Sequence, residues 1–159
     1  MRALILFPVL LAWSLVTAAE NGAPWGTAAD NQLDIDYAPN KVVYDVSVGS
    51  RAVFERVLDR VSYLNNLYGA DPFDASIILV LHGDEIPLFA LEHQKQYHEL
   101  MRRAQSLTVG GIIEIRMCRI AARGHGYESR DIHGFVKMVP MGDAEIVRLQ
   151  QEEGYAYMQ

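Results

Sequence analysis

The sequence predicts an α/β domain built on a mainly parallel sheet of four to five strands. Strand-like runs alternate with segments whose apolar residues recur at helical spacing, and this alternation repeats four times over residues 41–158. One strand-like run, Ser76–Leu81, is almost continuously apolar, which is typical of a parallel strand covered on both faces. Right-handed crossovers would then place helices on both faces of the sheet.

The first predicted strand covers residues 41–47, which are rich in β-branched and aromatic side chains. Gly49 and Ser50 turn the chain, and Ser50 is a candidate N-cap. A helix is predicted to follow, because apolar residues recur at spacings of three and four until Gly69. These residues are Val53, Val57, Val61, Leu64 and Tyr68.

The remaining elements follow the same alternation. After the second strand, residues 88–107 carry apolar residues at helical spacing. Residues 112–117 predict a third strand, with a short helix after it. Residues 135–140 predict a fourth strand and residues 144–151 a last helix. The tail over 154–158 alternates, which predicts a short edge strand or a packed extension.

Residues 1–19 have the anatomy of a secretory signal peptide. Arg2 supplies positive charge, residues 3–16 are apolar, and Ala18 and Ala19 are small residues suited to cleavage. The apolar stretch is shorter than the roughly 20 residues that cross a bilayer core. We therefore expect an exported protein, periplasmic or secreted, with no membrane association after cleavage; an uncleaved anchor is the alternative. Residues 20–40 predict a flexible leader into a single domain of residues 41–159.

The composition narrows the classes of partner. The chain has 159 residues with 14 Lys and Arg against 20 Asp and Glu, a net charge of -6. Phosphate binding requires clustered positive charge, and no block of Lys or Arg occurs, so we expect no nucleic acid partner. A hydrophobic content of 50% predicts a folded chain.

Cys118 is the sole cysteine, and it is predicted to lie where the third strand ends and a helix begins. Open α/β sheets place their chemistry at this edge. Helix N–H groups and the nearby Arg116, Arg119 and Arg123 would favour the thiolate. A lone thiol cannot form a disulfide within the chain, so in an exported protein it is reactive, paired between chains, or buried. Burial as a small inert hydrophobe is the alternative to a reactive role.

His82 and Asp84 end the second predicted strand and are candidates to flank the same crevice. His82 could polarise or deprotonate an incoming thiol. The alternative is that its ring satisfies local backbone groups while Asp84 caps the following segment.

The other histidines do not predict a metal site. His93 and His98 are five residues apart, which does not align two ligands on one helix face. His125 and His133 lie in a Gly-rich stretch that is best explained as a solvated loop. We expect neither a metal nor a cofactor.

Three blocks of the sequence resemble the DsrE/DsrF-like family of sulfur-relay proteins, which includes the TusD-type subunits. Residues 78–87 are similar to the family's apolar strand that ends in a His-Gly turn. Residues 111–118 are similar to the strand that ends in its sulfur-accepting cysteine, and residues 139–157 to the C-terminal segment of many small members. The resemblance covers residues 41–158, with the three blocks in the family's order.

The resemblance implies a three-layer α/β/α fold, assembly into a homotrimer or homohexamer, and a cysteine, here Cys118, that carries sulfur as a persulfide. The best-understood relay proteins are cytoplasmic, whereas this chain is predicted to be exported. Two hypotheses follow. In the first, a sulfurtransferase-like carrier exchanges sulfane sulfur at Cys118 with donor and acceptor thiol proteins or small polysulfides. In the second, the protein is a non-catalytic oligomeric binding or scaffold module with an inert Cys118.

Overall fold

The computed structural model describes residues 25–159, so the predicted signal peptide and the first part of the predicted leader lie outside the described residues. The chain divides into two units, residues 1–35 and residues 36–159. The described part of the first unit contains a short 3-10 helix, Ala28–Asn31. Within the described range, no helix is both long and apolar enough to cross a bilayer. The domain boundary at residue 41 stays a prediction.

The second unit contains five parallel strands in the order β4-β3-β2-β1-β5. They are β1 (Lys41–Val46), β2 (Ser76–Leu81), β3 (Ile113–Cys118), β4 (Lys137–Val139) and β5 (Ala156–Met158). The predicted α/β class with a parallel sheet is confirmed, and the alternating tail does form an edge strand, paired with β1.

Four α-helices accompany the strands: α1 (Arg51–Leu67), α2 (His98–Thr108), α3 (Arg119–Gly124) and α4 (Gly142–Glu152). Ser50 caps α1, because its hydroxyl accepts the N–H of Val53 at 3.3 Å. The segment before α2 forms two 3-10 turns, Ile86–Phe89 and Leu91–His93, so α2 begins at His98 rather than near residue 88. Its residues 88–90 are consecutive and buried, and a helix with a single buried face cannot bury three consecutive residues.

Helices cover both faces of the sheet and give three layers. On one face α1 and α2 bury a large core that includes Phe54, Leu58 and Met117. On the other face α4 lies against β1, β2, β3 and β5. The core beneath α4 is smaller and consists of Val43, Ile78, Val80, Ile146, Leu149 and Tyr155.

A buried carboxylate joins the loops that follow β1 and β2. The side chain of Glu85 is fully buried, and it accepts the backbone N–H of Val48 at 2.8 Å and that of Gly83 at 2.9 Å. A Cβ at Gly83 would lie 2.6 Å from Ser47 Cα, so only glycine fits this close approach. The two loops are thereby held together next to His82.

The substitution Glu85→Gln is expected to lower the free energy of unfolding by about 2 kcal/mol. Each carboxylate oxygen accepts a different N–H, whereas an amide offers one acceptor and turns a donor toward the other N–H. Urea unfolding followed by circular dichroism measures the change, with the exposed Glu152→Gln as the control. Equal stability of both variants would contradict a structural role for Glu85.

Candidate functional site

His82 and Cys118 lie side by side at the carboxyl edge of the sheet. Leu81 pairs with Met117, so the residues that follow them, His82 and Cys118, are level on neighbouring strands. Gly142, the first residue of α4, packs against both. A Cβ built on Gly142 would lie 3.2 Å from His82 Cβ and 3.3 Å from Cys118 Cβ. The absence of a side chain at residue 142 thus lets α4 begin directly over these two candidate side chains.

Cys118 is both the last residue of β3 and the N-cap of α3. Its backbone is extended, and its Sγ accepts the N–H of Ala121 at 3.4 Å. The structure therefore places the thiol at the predicted junction of strand and helix. The residue is only 5% exposed, so the thiol lies at the edge of the sheet but is largely covered.

His82 belongs to a chain of hydrogen bonds that continues onto two further strands. Its Nε2 lies 2.5 Å from Asp45 Oδ1, and the hydroxyl of Tyr157 donates to Asp45 Oδ2 at 2.6 Å. The side chains of His82 and Asp45 are each 22% exposed. Since Asp45 engages Nε2, Nδ1 is the ring nitrogen left to exchange a proton elsewhere.

Asp45 is held in its ionised form. Burial acts to raise the pKa of its carboxyl, but the hydrogen bonds from Tyr157 and His82 outweigh burial and keep that pKa below its usual value. The same bond raises the pKa of Tyr157, with Asp45 as the main cause. An ionised carboxylate at Nε2 favours the tautomer that carries its proton there, which leaves Nδ1 able to accept one.

Two of the three arginines near Cys118 in the sequence pair with carboxylates. Arg116 forms ion pairs with Glu114 and Glu145, on the face covered by α4. Burial acts to lower its pKa, but the two carboxylates raise it overall. Arg123 pairs with Glu128 at 3.4 Å. The remaining cation, Arg119, is exposed at the start of α3. The charge of Arg116 is balanced by its own partners.

The other candidates from the sequence stay outside this cluster. Asp84 is exposed, and its Oδ1 lies 3.8 Å from His125 Nε2. His93 and His98 each contact a neighbouring glutamate. His133 stacks on a phenylalanine ring, and burial lowers its pKa. Over residues 25–159, no three His, Cys, Asp or Glu side chains converge as a metal site would require.

Three residues of the site escaped the sequence analysis: Asp45, Tyr157 and Gly142. Asp45 carried a readable signal, because it is an acidic residue among the apolar residues of 42–46. Tyr157 carried no signal of its own, since nothing local showed that β5 pairs with β1. Gly142 lies just before the helix predicted over residues 144–151, and only the tertiary structure shows what it touches.

Comparison with known proteins supports the fold and is silent on activity. No family model matches the chain, and no curated protein matches it. Among solved structures, it is similar to the Protein of Unknown Function MTH1491 from Methanobacterium thermoautotrophicum, with a TM-score of 0.54 and 22% sequence identity. The match covers 77% of this chain and 98% of that one.

The substitution Gly142→Ala is expected to slow alkylation of Cys118 in the folded protein by roughly fivefold, because the new methyl group packs against the thiol's own side chain. The rate with N-ethylmaleimide, followed by mass spectrometry, measures the effect. Gly110→Ala is the matched control, since a Cβ there has open space around it. If both variants react at the wild-type rate, Gly142 does not limit access to Cys118.

The substitution Arg116→Met is expected to lower the free energy of unfolding by about 1–2 kcal/mol, because two half-buried carboxylates lose a partner. Alkylation of Cys118 should stay within about twofold of the wild-type rate, since the charge of Arg116 is already balanced. Urea unfolding and the alkylation assay together measure both effects. A large loss of Cys118 reactivity with unchanged stability would instead indicate that Arg116 stabilises the Cys118 thiolate.

Proposed function

We propose that the protein is a sulfur carrier that accepts sulfane sulfur as a persulfide on Cys118 and passes it to an acceptor thiol. The main support is the position of the lone thiol at the carboxyl edge of a parallel sheet, beside an imidazole that has its own carboxylate partner. The resemblance of three sequence blocks to sulfur-relay proteins supports the same reaction. We further propose that the carrier is exported and works as a homotrimer or homohexamer.

The transfer needs no external oxidant or reductant. The Cys118 thiolate attacks the outer sulfur of a donor persulfide, R–S–SH, forming a new S–S bond to Sγ as the donor's own S–S bond breaks. The donor leaves as a thiolate and takes up the proton that Cys118 released, so R–SH and Cys–S–SH result. An acceptor thiolate then attacks the outer sulfur on Cys118 and restores the free thiol.

The surroundings of Cys118 suit two parts of this reaction. The N–H of Ala121 points at Sγ, and a hydrogen bond of this kind favours a sulfur that carries negative charge. The nearness of both His82 and Cys118 to Gly142 supports His82 as the group that holds the proton between its release by Cys118 and its uptake by the leaving thiolate. We assign His82 this role as proton acceptor.

The burial of Cys118 restricts the donor. At 5% exposure the thiol can be reached by a small polysulfide more readily than by a bulky protein thiol. Transfer to or from a partner protein requires the start of α4, where Gly142 contacts Cys118, to move aside.

The same burial favours a second candidate function. A buried lone cysteine is commonly an inert core residue. In that case the protein is an oligomeric binding or scaffold module of this fold, and Cys118 contributes only packing.

Intact mass after exposure to polysulfide distinguishes the two functions. We expect the folded protein to gain the mass of one sulfur atom, which dithiothreitol removes, and Cys118→Ser to gain none. The matching far-UV circular dichroism of the variant shows that its fold is kept. A folded wild-type protein that gains no sulfur and resists thiol probes would contradict the carrier function and leave the scaffold module.

A further inference from the structure

We propose that Asp45 and Tyr157 are positioning residues that hold the His82 imidazole as the proton acceptor for Cys118, so that the four side chains act as one relay. The proposal rests on the proposed function, since it assigns the residues that prepare the thiol for sulfur transfer. It adds two residues to which neither the sequence motifs nor the sulfur-relay resemblance assigns a role.

The relay crosses the sheet from strand to neighbouring strand. Tyr157 lies on β5 and Asp45 on β1, while His82 follows β2 and Cys118 ends β3. These strands are adjacent in the order β3-β2-β1-β5. Side chains two residues apart on a strand share a face, and paired residues of parallel strands do so too. All four side chains therefore lie on the face that α4 covers.

Two of the three links between neighbours are direct hydrogen-bond contacts. Tyr157 donates to Asp45 at 2.6 Å, and Asp45 lies 2.5 Å from His82 Nε2. The last link is proximity: a Cβ built on Gly142 would lie 3.5 Å from His82 Cγ and 3.3 Å from Cys118 Cβ. The imidazole and the Cys118 side chain thus border the same space under the first residue of α4.

The pairing of Asp45 with His82 determines where a proton from Cys118 would go. The ionised Asp45 accepts a hydrogen bond from the Nε2–H of His82 and stabilises the imidazolium that forms when Nδ1 takes up a proton. Tyr157 saturates the other carboxylate oxygen, so Asp45 cannot rotate away from the ring without losing that bond. A proton released by Cys118 then has a defined acceptor, and the thiolate is left as the nucleophile.

Packing alone does not explain an acidic residue at this position. On the covered face, Asp45 is level with Val80 on β2 and follows Val43 on its own strand, both fully buried and apolar. An aliphatic side chain would continue that core, whereas an ionised carboxylate must be desolvated. Its two partners, His82 and Tyr157, are what keep it charged there.

The charged groups on the elements around the His82 imidazole affect the predicted pH dependence of Cys118 reactivity. Asp45 on β1 is the anion in contact with the ring, and Tyr157 on β5 is linked to it. Cys118 on β3 is the acid that would be deprotonated. The first turn of α4 carries Asp143 and Glu145, and Glu145 is held by Arg116 and Arg148.

The test follows the rate of Cys118 alkylation by iodoacetamide against pH in the full-length protein and its variants. In Asp45→Asn the amide can donate to Nε2, which moves the ring proton to Nδ1 and removes the acceptor. We expect the rate at neutral pH to fall roughly tenfold and the half-maximal rate to move to higher pH. Tyr157→Phe should shift the profile in the same direction by a smaller amount.

Asp84→Asn is the matched control, because Asp84 is an exposed carboxylate at the same edge of the sheet. Its profile should superimpose on the wild-type profile. Far-UV circular dichroism and the midpoint of thermal unfolding show whether each variant keeps the fold. If a variant does not fold, the same pH profile is measured on Asp45→Ser and on His82→Gln instead.

The outcomes separate this inference from the proposed function. Unchanged pH profiles in folded Asp45 variants would overturn the relay, even where polysulfide still loads Cys118. Shifted profiles without sulfur loading would uphold the relay and overturn sulfur carriage. A wild-type thiol that does not react while folded would overturn both.

Discussion

The parallel pairing of β1, β2 and β3 is the constraint on which the site depends. Their register sets Asp45 beside Val80 and continues past Leu81 and Met117, so His82 and Cys118 end level at the same edge. A slip of one residue in any of these strands would turn its functional side chain to the opposite face. The buried carboxylate of Glu85 protects this alignment, because it ties together the loops that follow β1 and β2.

The start of α4 closes the site from above, and it does so without a side chain. Gly142 lets the helix approach His82 and Cys118 so closely that even a methyl group would crowd both. The cover explains how a thiol at the chemically favoured edge can be 5% exposed. A sulfur donor can reach Cys118 only when the first turn of α4 loosens. The accessibility of the thiol and the stability of that turn are therefore linked.

The sequence predicted the fold well because the strands and helices have recognisable local patterns. The continuous apolar run of β2 and the periodic apolar residues of α1 are each decided within a short window. The position of Cys118 at the end of β3 followed for the same reason. The order of strands is a tertiary property, so the sequence did not show that β5 pairs with β1 or that Tyr157 reaches Asp45. The ion pair between Arg116 and Glu145 is likewise tertiary, because the two residues lie 29 positions apart in sequence.

The edge strand β5 links the last described segment of the chain to the chemistry proposed for Cys118. Three residues make a short strand, and its neighbours hold it in place: the hydroxyls of Tyr155 and Ser76 are 2.8 Å apart, and Arg60 donates to the carbonyl of Gln159 at 3.1 Å. If β5 separated from β1, Asp45 would lose one of the two bonds that keep it ionised. The contacts that hold β5 in place therefore also determine how firmly Tyr157 fixes Asp45 against His82. The order of the site depends on the order of this edge strand.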